Sequence, residues 1–128
     1  MRMAGLIPVA VGMVALAACA PEEGSVAGRA AYEANCAACH GSDGRGAASG
    51  LPDLTLLTAR SEGRFPMALV LRRVDGYARG LNDPPSGMPE LGHLLEGRLV
   101  RVELGDGRTT MTPTTLAAIA DYLKTLQR

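Results

Sequence analysis

Cys36-Ala37-Ala38-Cys39-His40 constrains this chain more than any other stretch. Two thiols separated by two residues, with an imidazole directly after the second, leave few chemistries open. A thioredoxin-like redox pair needs a βαβ setting and no obligatory histidine, whereas the flanks here read as helix on one side and glycine-rich loop on the other. A structural zinc ion needs four ligands. Only His93 is left to join Cys36, Cys39 and His40, and the adjacent Cys39 and His40 sit awkwardly on one tetrahedral ion. A plain disulfide leaves His40 without a role.

Covalent attachment of haem accounts for all three residues. At the end of a helix the two thiols reach the two vinyl groups of the macrocycle, each forming a thioether. The histidine that follows is then held under the iron as an axial ligand. C-x-x-C-H is the signature of that attachment. The expected cofactor is one covalent haem c. Composition is compatible with it: the 128 residues include one Phe, three Tyr and no Trp, although large side chains normally dominate a small core. A buried macrocycle would supply the missing bulk. The length suits a single domain. Thirteen basic and thirteen acidic residues give zero net charge, with no electrostatic footprint for nucleic acid.

The N-terminus has its own pattern. Arg2 is the only charge before Cys19, and an apolar stretch from Leu6 to Ala18 ends in small residues. That is an export signal, too short for a comfortable membrane span. Its end, Leu16-Ala17-Ala18-Cys19, resembles the bacterial lipoprotein cleavage box, in which the cysteine becomes the lipidated N-terminus; the alternative is an ordinary signal cut near Ala18 or Ala20. Lipidation of Cys19 explains an odd cysteine count in an exported protein, leaving Cys36 and Cys39 as a pair. The expected organisation is a signal peptide over 1–18, a polar tether over 19–25 and one domain over 26–128. A lipid anchor on the periplasmic side of a bacterial membrane follows, since more than one acyl chain makes anchoring stable.

Within the domain, Ser25 is placed to cap a helix running to about Cys36. Gly28 lies inside it, where it costs about 1 kcal/mol relative to Ala unless close packing needs it. Residues 41–63 read as loop. A second helix is predicted over Pro66 to Val74, with Met67, Val70, Leu71 and Val74 on one face. After a turn-rich stretch from Gly80 to Pro89, Val100, Val102 and Leu104 alternate with Arg101 and Glu103 before Gly105-Asp106-Gly107, predicting a small hairpin. Thr112 and Pro113 are placed to open a last helix with Leu116, Ile119, Ala120 and Leu123 as its apolar stripe.

Taken together, Gly28, Tyr32, the Cys36–His40 motif, Gly50, Pro52-Asp53-Leu54, Met88-Pro89 and Ala120-Asp121-Tyr122-Leu123 resemble the class I cytochrome c family over nearly the whole mature chain. The resemblance implies an all-α domain around one haem. The stretch from Gly92 to Met111 departs from it, separating Met88 from the last helix by more than most members allow, and reads as a small hairpin inserted before the C-terminal helix. The likeness implies that Gly28 and Tyr32 meet Tyr122 where the terminal helices cross. It also implies that the carbonyl of Pro52 accepts a hydrogen bond from the His40 ring, a contact that fixes the ligand's tautomer.

Three methionines survive signal removal: Met67, Met88 and Met111. Met67 belongs to the stripe of the second helix and reads as core. Met111, just before Thr112, is placed to staple onto Leu116. Met88, in a loop between Pro85 and Pro89, has no helix face to fill, and presentation together with the family likeness makes it the expected second ligand of the iron. His93 reads as a surface or hydrogen-bonding residue, with bis-histidine ligation as the alternative.

A His/Met-ligated iron has no open position for substrate, so the expected function is single-electron transfer between unidentified redox proteins rather than catalysis. A haem enzyme or gas sensor with a labile sixth ligand, and a haem subunit of a larger complex, are the alternatives. No distal acid–base pair can be named for the enzyme reading.

Overall fold

A computed structural model describes residues 23–46, 50–75, 87–89 and 91–128. The predicted signal peptide, Cys19, most of the tether and most of the Gly80–Pro89 stretch lie outside the described residues.

The first helix, α1 (Glu23–Asn35), is alanine-rich and starts two residues ahead of Ser25, which therefore does not cap it. Arg29 pairs with Glu33 one turn on at 2.8 Å, an exposed contact that solvent screens and that contributes little. The chain kinks at Cys36, where φ −121° breaks the helical path. A single turn, α2 (Ala37–His40), follows and is released at Gly41 with φ +78°.

The third helix, α3 (Met67–Asp75), matches its predicted apolar stripe: Met67, Val70, Leu71 and Val74 are all buried. Strands β1 (Leu99–Glu103) and β2 (Thr109–Pro113) pair antiparallel with Arg101 opposite Met111. The period of two turns Thr112 inward, 4 % exposed, and Met111 outward. Thr112 is therefore a buried strand residue and not a helix cap. The expected staple between Met111 and Leu116 is not made, because Met111 lies 55 % exposed on the opposite face. The last helix, α4 (Thr114–Thr125), starts at Thr114, whose N–H and hydroxyl both donate to the Arg98 carbonyl at the base of the hairpin, at 2.9 and 2.8 Å.

α4 is the spine of the domain. Leu116, Ile119, Ala120 and Leu123 meet Tyr32 from α1, the α3 stripe, and Leu91 and Leu94 from the 3-10 turn before the hairpin. The crossing of α1 and α4 is close because Gly28 has no side chain. A Cβ there would run into the main-chain carbonyl of Ala118 and lie 3.0 Å from Cβ of Tyr122. One turn on, the Tyr32 and Tyr122 rings pack with centroids 5.4 Å apart and planes tilted by 54°, a favourable aromatic geometry. The fold is a mostly helical domain with a small antiparallel hairpin before the C-terminal helix. Among the described residues no helix is long and apolar enough to cross a membrane.

Candidate cofactor cavity

The kink at Cys36 and the release at Gly41 turn the motif toward the interior. There a cavity of about 440 Å³ opens between the motif, the loop at 51–57, α3 and α4. That volume lies in the range of cofactor and ligand sites, about 300–1,000 Å³. Cys36, Cys39 and His40 line it, with Leu54, Leu57, Val70, Val74, Ile119 and Leu123 among its apolar walls. Pro52 and Met88 line it as well.

Both cysteines are free thiols, Cys36 buried and Cys39 exposed. Burial pushes the Cys36 thiol up to about 11. A redox-exchange cysteine needs a stabilised thiolate, so this one is a poor thioredoxin-type nucleophile. Among the described residues no three His, Cys, Asp or Glu side chains converge to hold a metal ion by themselves. Zinc thus lacks its cage.

His40 Nδ1 is buried with no hydrogen-bond partner. The expected bond to the Pro52 carbonyl is therefore absent, although Pro52 does line the same cavity. Proline fixes its own φ but not the direction of its carbonyl, which depends on the loop that follows. Here Asp53 sets that loop, its carboxylate accepting from the Thr55 amide at 2.9 Å and from the Thr55 hydroxyl at 2.6 Å. The exit of the motif is held from another side. The Tyr32 hydroxyl donates to the Gly41 carbonyl at 2.8 Å, one residue past the histidine.

The three methionines part company. Met88 is half-buried, packs against the core and lines the cavity. Met67 is 4 % exposed inside the α3 stripe, and Met111 lies out on the hairpin; neither lines the cavity. His93 is an exposed residue outside the wall, and its Nε2 meets the side-chain oxygen of Asn35 at 2.7 Å.

Arg73 belongs to no motif, and nothing in its sequence neighbourhood marks it as a site residue. It lies three residues past Val70 and four past Leu69, so α3 brings all three to the cavity wall. Half-buried and, among the described residues, without a carboxylate beside it in that wall, it is a cation set against the apolar side chains of the wall.

These features fit a haem bound through its edge. Two thiols and an imidazole stand on one wall, a thioether lines the same space, and Arg73 offers a counter-charge to the macrocycle's carboxylates. The comparison with known families agrees. The sequence model of the cytochrome c family matches residues 25–127. No match was found among the curated proteins or the solved structures. The chain belongs to the cytochrome c family, whose members are electron carriers holding haem c covalently.

Proposed function

We propose that this is a mono-haem class I cytochrome c, exported and anchored to the periplasmic side of a bacterial membrane through lipid on Cys19, that carries single electrons between redox proteins. The observation that carries the reading is that Cys36, Cys39, His40 and Met88 line one apolar cavity, while Met67, Met111 and His93 lie elsewhere.

In this reading Cys36 and Cys39 would hold the haem by two thioethers, and His40 and Met88 would supply the protein ligands of its iron. The haem iron supplies a reversible one-electron change between its ferric and ferrous forms. The chain's own residues do the rest. The Val70, Val74, Ile119 and Leu123 walls keep water from the iron, and a thioether ligand favours the ferrous form. Arg73 offers a bidentate partner for a propionate. Leu51 and Leu69, 45 % and 36 % exposed, line the cavity while still facing solvent. They form an apolar lip beside which a partner protein can approach the haem edge. In this reading His40, Cys36 and Cys39 are taken up by the haem, and among the described residues no Asp, Glu or Lys lines the cavity beside them, which supports the carrier reading.

The test is the mass of the denatured protein after expression with a haem-attachment system. One haem on the wild type, and none on the Cys36→Ala/Cys39→Ala double variant, is expected; two haems, or covalent haem on the double variant, would refute the reading. The anchor is tested apart. Cys19→Ala should leave the haem in place and move the exported protein from the membrane to the soluble fraction, and membrane binding that survives a high-salt wash would refute a lipid anchor.

A further inference from the structure

The stretch from Leu51 to Leu57 forms one side of the cavity, yet little in its own backbone holds it there. Its regular structure is one 3-10 turn, Leu54–Leu56. Among the described residues the Leu54 N–H donates to the Gly44 carbonyl at 2.8 Å, tying the stretch to the loop after the motif, and Arg60 Nη1 donates to the Asp53 carbonyl at 3.3 Å from an exposed position. Further fastening comes from the residues just past α4. Gln127 uses both ends of its amide. Its Nε2 donates to the carbonyls of Leu54 and Leu123 at 2.9 and 2.8 Å, and its Oε1 accepts from the Thr58 N–H at 2.9 Å. Arg128 continues the seam: its main-chain N–H donates to the Thr55 carbonyl at 3.1 Å, Nε to the Thr55 hydroxyl at 2.8 Å, and Nη2 to the Asp53 carboxylate at 3.0 Å. Thr55 itself is 3 % exposed. The bonded residues Asp53, Leu54, Thr55 and Thr58 interleave with Pro52, Leu54 and Leu57, which line the cavity.

We propose that Gln127 and Arg128 are positioning residues for the haem. They hold the Leu51–Leu57 wall in place and so set how far water reaches the iron, without lining the cavity themselves. The proposal rests on the reading of this cavity as the haem site. The part-buried bonds carry most of the weight, because the Arg128 side of the Asp53–Arg128 ion pair is half exposed and such pairs contribute little. Each part-buried bond lost should raise the opening of the wall by up to about tenfold. Burial and solvent access around the iron are levers on its potential, and a wetter site favours the more highly charged ferric form.

The experiment uses the holoprotein and the variants Gln127→Ala, Arg128→Ala, Arg128→Lys and Lys124→Ala. The last removes an exposed cation from the same end of α4 whose side chain makes no hydrogen bond or ion pair among the described residues. Amide exchange at Thr58 reports the seam, exchange at Ile119 and Ala120 reports global stability, and the reduction potential is read where each variant is fully folded. Gln127→Ala should speed Thr58 exchange by about tenfold, leave Ile119 and Ala120 among the slowest amides, and lower the potential. Arg128→Ala should do the same to a smaller degree, Arg128→Lys, which keeps only the Asp53 pair, should fall close to Arg128→Ala, and Lys124→Ala should change neither reading. Faster Thr58 exchange with an unchanged potential would reduce the seam to a structural role and overturn the proposal; so would unchanged Thr58 exchange. If Gln127→Ala does not fold, Arg128→Ala and Arg128→Lys carry the same readings. A wild type without haem would overturn the cavity's assignment and this proposal together. It is recognised from the absorption spectrum alone, so it cannot be confused with a failure of the seam in a haem-loaded protein.

Discussion

Gly28 sits directly beneath the main-chain carbonyl of Ala118, so that α1 and α4 meet with backbone against backbone. On helix propensity alone, Gly28→Ala would stabilise α1 by about 1 kcal/mol. The carbonyl cannot move like a flexible side chain, so the two helices must separate and loosen Tyr32 against Ile119. Overpacking of this kind costs about 1–3 kcal/mol. Urea unfolding should therefore show a net loss of up to about 2 kcal/mol, and a gain in stability would mean that the helices do not cross this closely.

Tyr32→Phe should keep the ring against Tyr122 and lose the hydroxyl's bond to the Gly41 carbonyl. The cost should be about 0.5–1.5 kcal/mol at neutral pH. Alkali gives a second signature. Burial, with smaller contributions from Cys36, Tyr122 and Asp43, pushes the Tyr32 phenol from 10.0 up to about 12. Folding thus favours the neutral phenol, a contribution that is whole below pH 10 and is lost as pH rises toward about 12. Stability measured from pH 9 upward should fall less steeply in Tyr32→Phe than in the wild type. Equal slopes would show that Tyr32 is not the group responsible.

Asp53 responds at the other end of the scale. Its hydrogen bond from the Thr55 hydroxyl, then the Thr55 amide and Arg128, hold its carboxyl below the ordinary 3.8. The ionised form is the one folding favours, so its contribution is present above about pH 4 and is lost as pH falls through the folded value. Asp53→Asn should narrow the difference between urea midpoints at pH 7 and pH 3, with Arg128 keeping only its bonds to Thr55. An unchanged difference would place the acid-sensitive groups elsewhere.

Much of this arrangement is legible in the order of the residues. The α3 stripe and the Val100–Leu104 alternation announce helix and strand because their periods, 3.6 and 2, are carried by side chains of one kind. Boundaries are less legible: Thr112 and Pro113 look like a helix start, yet pairing with Val100 and Leu99 keeps them in β2. The same pairing turns Met111 outward and removes the staple expected of it. In the cavity, the Cys36–His40 motif is local and can be read from spacing alone. The contact of His93 with Asn35, 58 residues apart, and the bonds of Gln127 and Arg128 to Thr58 and Thr55 depend on where the folded chain passes, so no local pattern reports them. The unpartnered Nδ1 of His40 depends on a carbonyl direction that residue identity does not set.

The most direct measurement for the proposed site is the ferric absorption spectrum of the wild type, Met88→Ala and Met111→Ala, each carrying covalent haem. Met88 lines the cavity and Met111 is 55 % exposed on the far face of the hairpin. The wild type should be low-spin with a sulfur-to-iron charge-transfer band. Met111→Ala should keep that band with little change in stability. Met88→Ala should lose it and show a lower potential, while His40 and the two thioethers retain the haem. A band that survives in Met88→Ala and vanishes in Met111→Ala would contradict the assignment of His40 and Met88 as the axial pair.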